Sequence, residues 1–368
     1  MSKRPKVLFI LKCRGLPYTG GTSSVTENNL VKIDQKTGYS HCISSGLFNS
    51  ANLVSEMLIE NGIESKVVQV IDANCIDREV HRYKPTHVMI EALWAVPEKF
   101  KILQKLHPNV KWIIRLHSET PFIANEGISM EWIFQYVRIK NVFLAPNSTR
   151  MYNDLVTILT AKHGEYFADG KLVYLPNFYK IEGYREKIPR NFKIDVGCFG
   201  AIRPLKNQLT QAIAAIEFAK RNRVKLRFHI NSSRIENSGN NVLKNIRNLF
   251  NNLDPINYEL VEHDWLSRPQ FLELIRKMDI GLQVSFSETF NIVTADFVSQ
   301  NIPVVTSKEI DWVSSLYHAE PTSVNDIVKK MNRALRQEWF GTYLNKIGLN
   351  RYNYYSAKTW LDYLKAKF

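Results

Sequence analysis

Cysteine is scarce. Four residues, Cys13, Cys42, Cys75 and Cys198, are scattered through 368. None stands in C-x-x-C and the spacing is irregular, which excludes a zinc ribbon and a dense disulfide framework. Free thiols in a reducing compartment are expected. Long apolar runs are missing too. The N-terminal run Val7–Leu11 sits between Lys6 and Lys12, whereas a membrane span needs about 18 apolar residues. It is also too short for a secretory leader and reads as a first buried strand. A cytoplasmic chain with no transmembrane segment is therefore expected. Catalytic signatures of several large enzyme classes are absent: no D-x-D, no H-E-x-x-H, no Ser-His-Asp order and no P-loop. No metal site is expected. Acidic residues are outnumbered, 35 against 49 Lys and Arg, a formal net charge of +14. Such an excess favours nucleic acid, an anionic membrane or phosphorylated substrates as partners, although any single basic cluster also suits a solvated face.

What is present is a regular alternation. KVLFILK, SKVVQVI, THVMIEAL, VKWIIRLH and NVFLAPNS read as strands, separated by helical stretches such as Gly46–Gly62 and PEKFKILQKLH. The series pauses in the polar, proline-containing stretch 175–190 and restarts at IDVGCFG. Strands KLRFHIN, NYELVEH, DIGLQVS and IPVVTS follow, again separated by helices. Two βαβ series imply two parallel sheets with helices on both faces. The expected architecture is α/β, two Rossmann-like domains facing each other across a cleft. The domains cover residues 1–182 and 190–345. The aromatic, basic tail 352–368 is a helix that either returns to the first domain or lies as a peripheral amphipathic helix.

Two segments of the second half carry chemistry. G-A-I-R-P-L-K-N (Gly200–Asn207) leaves a strand end, where glycine lets a ligand approach the backbone and Arg203 and Lys206 can neutralise a diphosphate. S-F-S-E-T-F-N-I-V-T-A-D (Ser285–Asp296) follows the strand DIGLQVS. Glu288 falls in the strand-to-helix loop, the amides of Thr289, Phe290 and Asn291 stand at a helix start, and Asp296 lies inside that helix. Alone, the first segment also suits a solvated basic loop, and Glu288 suits a helix-dipole charge.

In this order and spacing the two segments resemble the large retaining glycosyltransferase family of the GT-B fold, which includes sucrose, glycogen and lipid glycosyltransferases. Its strand–G-R-L-x-x-x-K-G–helix is similar to the first. Its E-G-F-G-x-x-x-x-E-A-x-x-x-G-x-P-V-V, an E-x7-E pattern, is similar to E-T-F-N-I-V-T-A-D-F-V-S-Q-N-I-P-V-V here. The resemblance implies sugar transfer, hexosyl or pentosyl, with retention, from a nucleotide-sugar, UDP-linked, with no further cofactor. It implies that Lys206 and Arg203 bind the diphosphate, Glu288 contacts the donor sugar and Asp296 holds the ribose. Ala201 stands where the family has Arg, and Asp296 is one methylene shorter than the family's Glu.

In the first half, His117 closes the strand VKWIIRLH. The resemblance implies a donor-sugar contact there, whereas a lone histidine also suits a core position. Gly46 opens the first long helix and is a candidate for the phosphates. Glu91 and Trp94, also at a strand end, are candidates for the acceptor side. I-E-A-L-W (Ile90–Trp94) and R-L-H-S-E-T-P-F-I-A-N-E-G (Arg115–Gly127) are similar to bacteriophage-encoded glycosyltransferases. That resemblance implies double-stranded DNA carrying hydroxymethylcytosine as the acceptor, in the host cytoplasm, with Glu119, Asn125 and Glu126 facing the base. Two alternatives stand beside it. One is an envelope enzyme acting on lipid or polysaccharide with a peripheral membrane contact. The other is a nucleotide- or DNA-binding module with a decayed site.

Overall fold

The computed structural model describes residues 4–13, 32–33, 40–41, 46–164, 167–181 and 192–366. The chain divides into two compact units, 1–178 with 355–368, and 179–354.

The first unit is built on five parallel strands: β1 (Lys6–Lys12), then, after the short antiparallel pair β2 (Lys32–Ile33) and β3 (Ser40–His41), β4 (Glu64–Val70), β5 (His87–Glu91), β6 (Lys111–Leu116) and β7 (Val142–Pro146). Their spatial order is β4-β1-β5-β6-β7. Between them run α1 (Gly46–Glu60), α2 (Cys75–Tyr83), α3 (Pro97–Leu106), α4 (Thr120–Ile123), α5 (Ser129–Tyr136) and α6 (Thr149–His163). The run VLFIL of β1 is apolar at every position because both faces of the sheet are covered. Leu8 and Ile10 pack with α2, α3, α5 and α6. Val7, Phe9 and Leu11 pack with α1 on the other face. The helices α4 and α5 had no sequence expectation; Pro121 and the polar run that follows obscure their periodicity.

The second unit has strands β8 (Lys193–Gly197), β9 (Lys225–Asn231), β10 (Tyr258–His263), β11 (Ile280–Gln283) and β12 (Val304–Thr306). All pair in parallel, in the order β10-β9-β8-β11-β12. The helices are α7 (Gln208–Asn222), α8 (Gly239–Asn251), α9 (Arg268–Ile275), α10 (Ile292–Ser299), α11 (Val324–Arg336) and α12 (Glu338–Lys365). Residues Val293–Ser299 of α10 are all buried. Phe297 of that helix packs so closely on the sheet that a Cβ at Gly281 would lie 2.6 Å from its ring, so only glycine fits there.

The aromatic tail belongs to a helix that begins earlier than the sequence suggested, at Glu338 rather than residue 352. Its positions through Tyr354 fall in the second unit and the remainder in the first. Each unit ties this helix to the other passage of the chain. In the second, Asn353 accepts from the Tyr179 amide (3.0 Å) and donates to its carbonyl (2.6 Å). In the first, Trp360 is fully buried against Phe9 and donates its indole N–H to the Pro176 carbonyl at 2.8 Å.

Cys75 and Cys198 are free thiols, as expected. Cys13 corrects that expectation: it is disulfide-bonded. Spacing along the chain does not reveal which thiols the fold brings within bonding distance. Among the described residues no helix is long and apolar enough to cross a membrane.

Trp360 is the largest apolar group that the tail contributes to the first unit. Trp360→Ala should cost about 3–5 kcal/mol of unfolding free energy. Denaturant unfolding followed by circular dichroism measures it, and a loss below about 1 kcal/mol would show that the tail is not part of that core.

Candidate active site

In an open parallel sheet, loops from neighbouring strands diverge where the strand order reverses, and the gap they leave is the usual binding crevice. In the second unit that place lies between β8 and β11. The two motif segments are the loops that leave these two strands, so the fold brings them to one point.

The loops are joined before any ligand is considered. Gln283 at the end of β11 donates to the Phe199 carbonyl (3.0 Å), and the Phe286 amide donates to Leu205 (2.9 Å). Asn207 donates to Val284 (3.0 Å). Gln211 accepts from the Val284 amide and donates to the Lys206 carbonyl, both at 2.8 Å. Asn207 takes the left-handed conformation (φ 58°), a position where asparagine is tolerated. Gly200 has φ 117°, a conformation other residues rarely adopt, and the Lys206 side chain runs above it.

At the centre the Lys206 ammonium donates to the Glu288 carboxylate, with side chains only 12% and 7% exposed. Burial alone would raise the Glu288 carboxyl; Lys206 and Arg203 outweigh it and hold it below its ordinary range. Burial, with Arg203 beside it, brings the Lys206 ammonium down from its ordinary value, and Glu288 opposes this. Glu236 receives both Arg203 (3.5 Å) and Arg234 (2.7 Å). Among the described residues three cations, Arg203, Lys206 and Arg234, thus face two carboxylates, a positive excess suited to a diphosphate.

The other expected donor residues fall into two groups. Asn291 caps α10: its side chain accepts from the Thr294 amide (2.9 Å) and donates to Gln283 (2.9 Å). Thr289 is half-buried at the same loop end. Phe290 is a core residue between Trp312 and Tyr352, its carbonyl bonded to the Trp312 indole. Only its backbone could serve a ligand. Asp296 is buried, and its Oδ1 accepts from the Tyr179 hydroxyl (2.7 Å) and from Arg268 (2.9 Å). Burial raises its pKa even though Arg268 and Tyr179 oppose the change. The structure therefore gives Asp296 internal partners that the motif did not indicate.

In the first unit, the end of β5 and the end of β6 form a second buried polar group. Glu91 accepts two bonds from Arg115 Nη1 (2.9 and 3.0 Å) and lies 2.5 Å from His117 Nε2. Glu91, expected on the acceptor side, has its side chain wholly buried and engaged by these partners. Burial would raise Glu91, but Arg115 and His117 hold it below its ordinary range. Burial pushes His117 down, with Glu91 opposing and Arg115 reinforcing the change. Trp94 is half-buried against the core with its indole nitrogen unpartnered. Glu119, expected to face the acceptor, is 4% exposed and paired to Arg150 at 3.1 Å. Asn125 and Glu126 are exposed; Asn125 bonds the carbonyl of Pro121, and Glu126 accepts from Ser129. Gly46 opens α1, and residues 42–45 before it lie outside the described residues.

Sequence reading missed Asn207, Gln211, Gln283, Glu236 and Arg115. Arg115 had a signal, a charge inside W-I-I-R-L that demands a buried partner. The others are common polar residues whose roles appear only once the loops meet. Among the described residues no group of three His, Cys, Asp or Glu could hold a metal ion.

No family model matches this sequence, and neither does any curated protein. Its fold is nonetheless shared with solved structures. A structure of apo OtsA has a TM-score of 0.63 at 12% identity, covering 80% of this chain and 77% of that one. One described as trehalose-6-phosphate from E. coli bound with UDP-2-fluoro glucose scores 0.65 at 12% identity, covering 99% and 100%. A mutant of S. aureus TarM in complex with Fondaparinux, alpha-GlcNAc-glycerol and UDP scores 0.55 at 15% identity, covering 76% of this chain and 55% of that one. The chain has the GT-B fold.

The buried charged groups have measurable consequences. Lys206→Met strands the Glu288 carboxylate and should cost about 3–5 kcal/mol, and adding Glu288→Gln should recover part of that loss. A double-mutant cycle in urea measures the coupling; additive losses would show that the two side chains do not interact. Burial, with Lys111 nearby, lowers His87 to about 4, and burial with His229 lowers His263 to about 4. His117 shifts the same way. The unfolded chain gains protons from about pH 6.5 downward while these folded sites do not. Thermal stability should therefore fall between about pH 6.5 and 4; a Tm unchanged across that window would contradict the assignment.

Proposed function

We propose that this protein is a glycosyltransferase that takes a sugar from a nucleotide diphosphate donor. The observation that carries this reading is the joining of two loops, one with Arg203 and Lys206 and one with Glu288, at the strand-order reversal of the second unit. A nucleotide-sugar needs cations for its diphosphate and a carboxylate for its hydroxyls. UDP is the proposed nucleotide, supported by two structures of the same fold that were solved with UDP or a UDP-sugar.

As the glycosidic bond breaks, negative charge builds on the departing diphosphate. Fixed cations at Lys206 and Arg203 stabilise that charge without reorganising, the most effective form of electrostatic catalysis. The backbone amides of Thr289–Asn291 at the start of α10 add a smaller contribution of the same sign. Glu288, held ionised by Lys206, accepts sugar hydroxyls. Asp296 is held through one oxygen by Arg268 and Tyr179, and the ribose contact implied by the family resemblance would use the other. Retention of anomeric configuration is proposed on the same resemblance.

The proposed acceptor is hydroxymethylcytosine in double-stranded DNA, a cytoplasmic reaction. Two observations support a polyanion: the net charge of +14, and a row of exposed aromatics on α12, Trp339, Tyr343 and Tyr354, on the helix that also carries Lys346 and Arg351. Of the acceptor candidates, Asn125 and Glu126 keep exposed side chains that could meet a base.

Labelled UDP-sugars incubated with hydroxymethylcytosine DNA, unmodified DNA and a lipid extract test this reading. Label should appear on the modified DNA alone, and Lys206→Ala should lower transfer about 100- to 1000-fold. Label in the lipid extract would replace the acceptor. Absence of sugar transfer and of UDP release with every donor would refute the enzyme.

A further inference from the structure

Strands β5 and β6 pair in register with Glu91 opposite Arg115. His117 lies two residues beyond Arg115, and side chains two apart in an extended chain share a face. This places a carboxylate, a guanidinium and an imidazole together at one end of the first sheet.

The contacts leave little freedom. Arg115 donates from Nη1 to both oxygens of Glu91. Its Nη2 donates to the Leu175 carbonyl (3.3 Å) and to Asn177 Oδ1 (3.0 Å). Its guanidinium also stands over the Trp360 ring at 5.1 Å. Arg115 is therefore fixed by β5, by the segment leading out of the unit and by the tail helix, and it fixes Glu91 in turn. A carboxylate paired to a guanidinium is an acceptor only. The 2.5 Å contact to His117 Nε2 then requires a proton on Nε2. On the far side of the ring, Nδ1 lies 3.3 Å from the Asn147 amide nitrogen, which can only donate, so Nδ1 carries a lone pair. One tautomer satisfies both contacts.

We propose that Glu91 is a positioning residue. Clamped by Arg115, it holds His117 in the Nε2–H tautomer, so that Nδ1 is the ring's acceptor for a substrate hydroxyl at this strand end when Asn147 gives way. The inference rests on the glycosyltransferase reading and gives Glu91 and Arg115 a role that the sequence motifs did not. The hydroxyl keeps its proton; His117 orients it and exchanges no covalent bond. The carboxylate–histidine arrangement is the one by which outer groups set ring orientation and tautomer in other sites.

The test has two parts on the full chain. Nitrogen-15 spectra of the histidine rings, in the resting protein at neutral pH, should show His117 protonated at Nε2 and bare at Nδ1. In Glu91→Gln, whose amide can donate or accept, the preference should weaken. In Glu91→Asp, which keeps the charge, it should persist. In transfer assays Glu91→Gln should lower kcat about 10- to 100-fold with the donor KM little changed, and Glu91→Asp should recover part of it. The carboxylate raises the proton affinity of His117, so its removal should move the acid limb of kcat to lower pH. A purely structural role would lower the amount of folded enzyme and leave that limb in place. A wild-type His117 protonated at Nδ1 would overturn the inference even if the Gln variant does not fold. So would unchanged kcat and pH profile in Glu91→Gln. Absence of transfer by the wild type would overturn the glycosyltransferase reading and the role in turnover, whatever tautomer the spectra show.

Discussion

The second unit's site depends on one ion pair, the Lys206 ammonium on the Glu288 carboxylate. Both groups are largely withdrawn from water, so neither is stable there alone. The pairing explains why the surrounding backbone is so heavily bonded. Asn207, Gln211 and Gln283 spend their amides on loop carbonyls and amides rather than on solvent. Those bonds hold the strand-end loops at a fixed spacing, which keeps cation and carboxylate in reach of one another. A carboxylate held ionised and a cation held beside it are also what a sugar attached to a diphosphate requires. Stability and proposed chemistry thus draw on the same few side chains.

The first unit repeats the principle with different residues. Glu91 is buried with Arg115 and His117, and Arg115 is held by the Pro176 region and by Trp360. The tail helix is therefore more than a cover for an apolar face. It supplies the aromatic ring above the guanidinium, and its indole bonds the carbonyl of Pro176. In the second unit the same helix bonds Tyr179 through Asn353, and the Tyr179 hydroxyl reaches Asp296. Each passage of the chain out of a unit is tied to a buried charged group of that unit.

Much of the fold was legible because it rests on periodicity and punctuation. Strand runs such as VLFIL and KWIIRL are apolar throughout, save Arg115 and the strand-opening Lys111, and Gly62 ends α1 where expected, at φ 78°. The Lys206–Glu288 pair was legible as two motifs, since strand ends carry ligands in this architecture. What was not legible depends on pairing across distance. Glu91 looked like a free strand-end carboxylate, and only the register with β6 shows that Arg115 and His117 consume it. The pairing of Glu119 was hidden for the same reason, its partner Arg150 lying in another helix. Phe290 stood beside ligand-type residues in sequence, yet its side chain faces the core. Cys13 shows the same limit, because a disulfide is a fact of proximity in space.

The central claim is that Lys206 and its neighbours form a diphosphate site. Calorimetric titration of UDP into the full chain and into Lys206→Met tests it without an acceptor. The account predicts saturable binding to the wild type and a loss of about 10- to 100-fold in the variant, the value of one charge-assisted hydrogen bond. Equal affinity in the two proteins, or no UDP binding to the wild type, would contradict it.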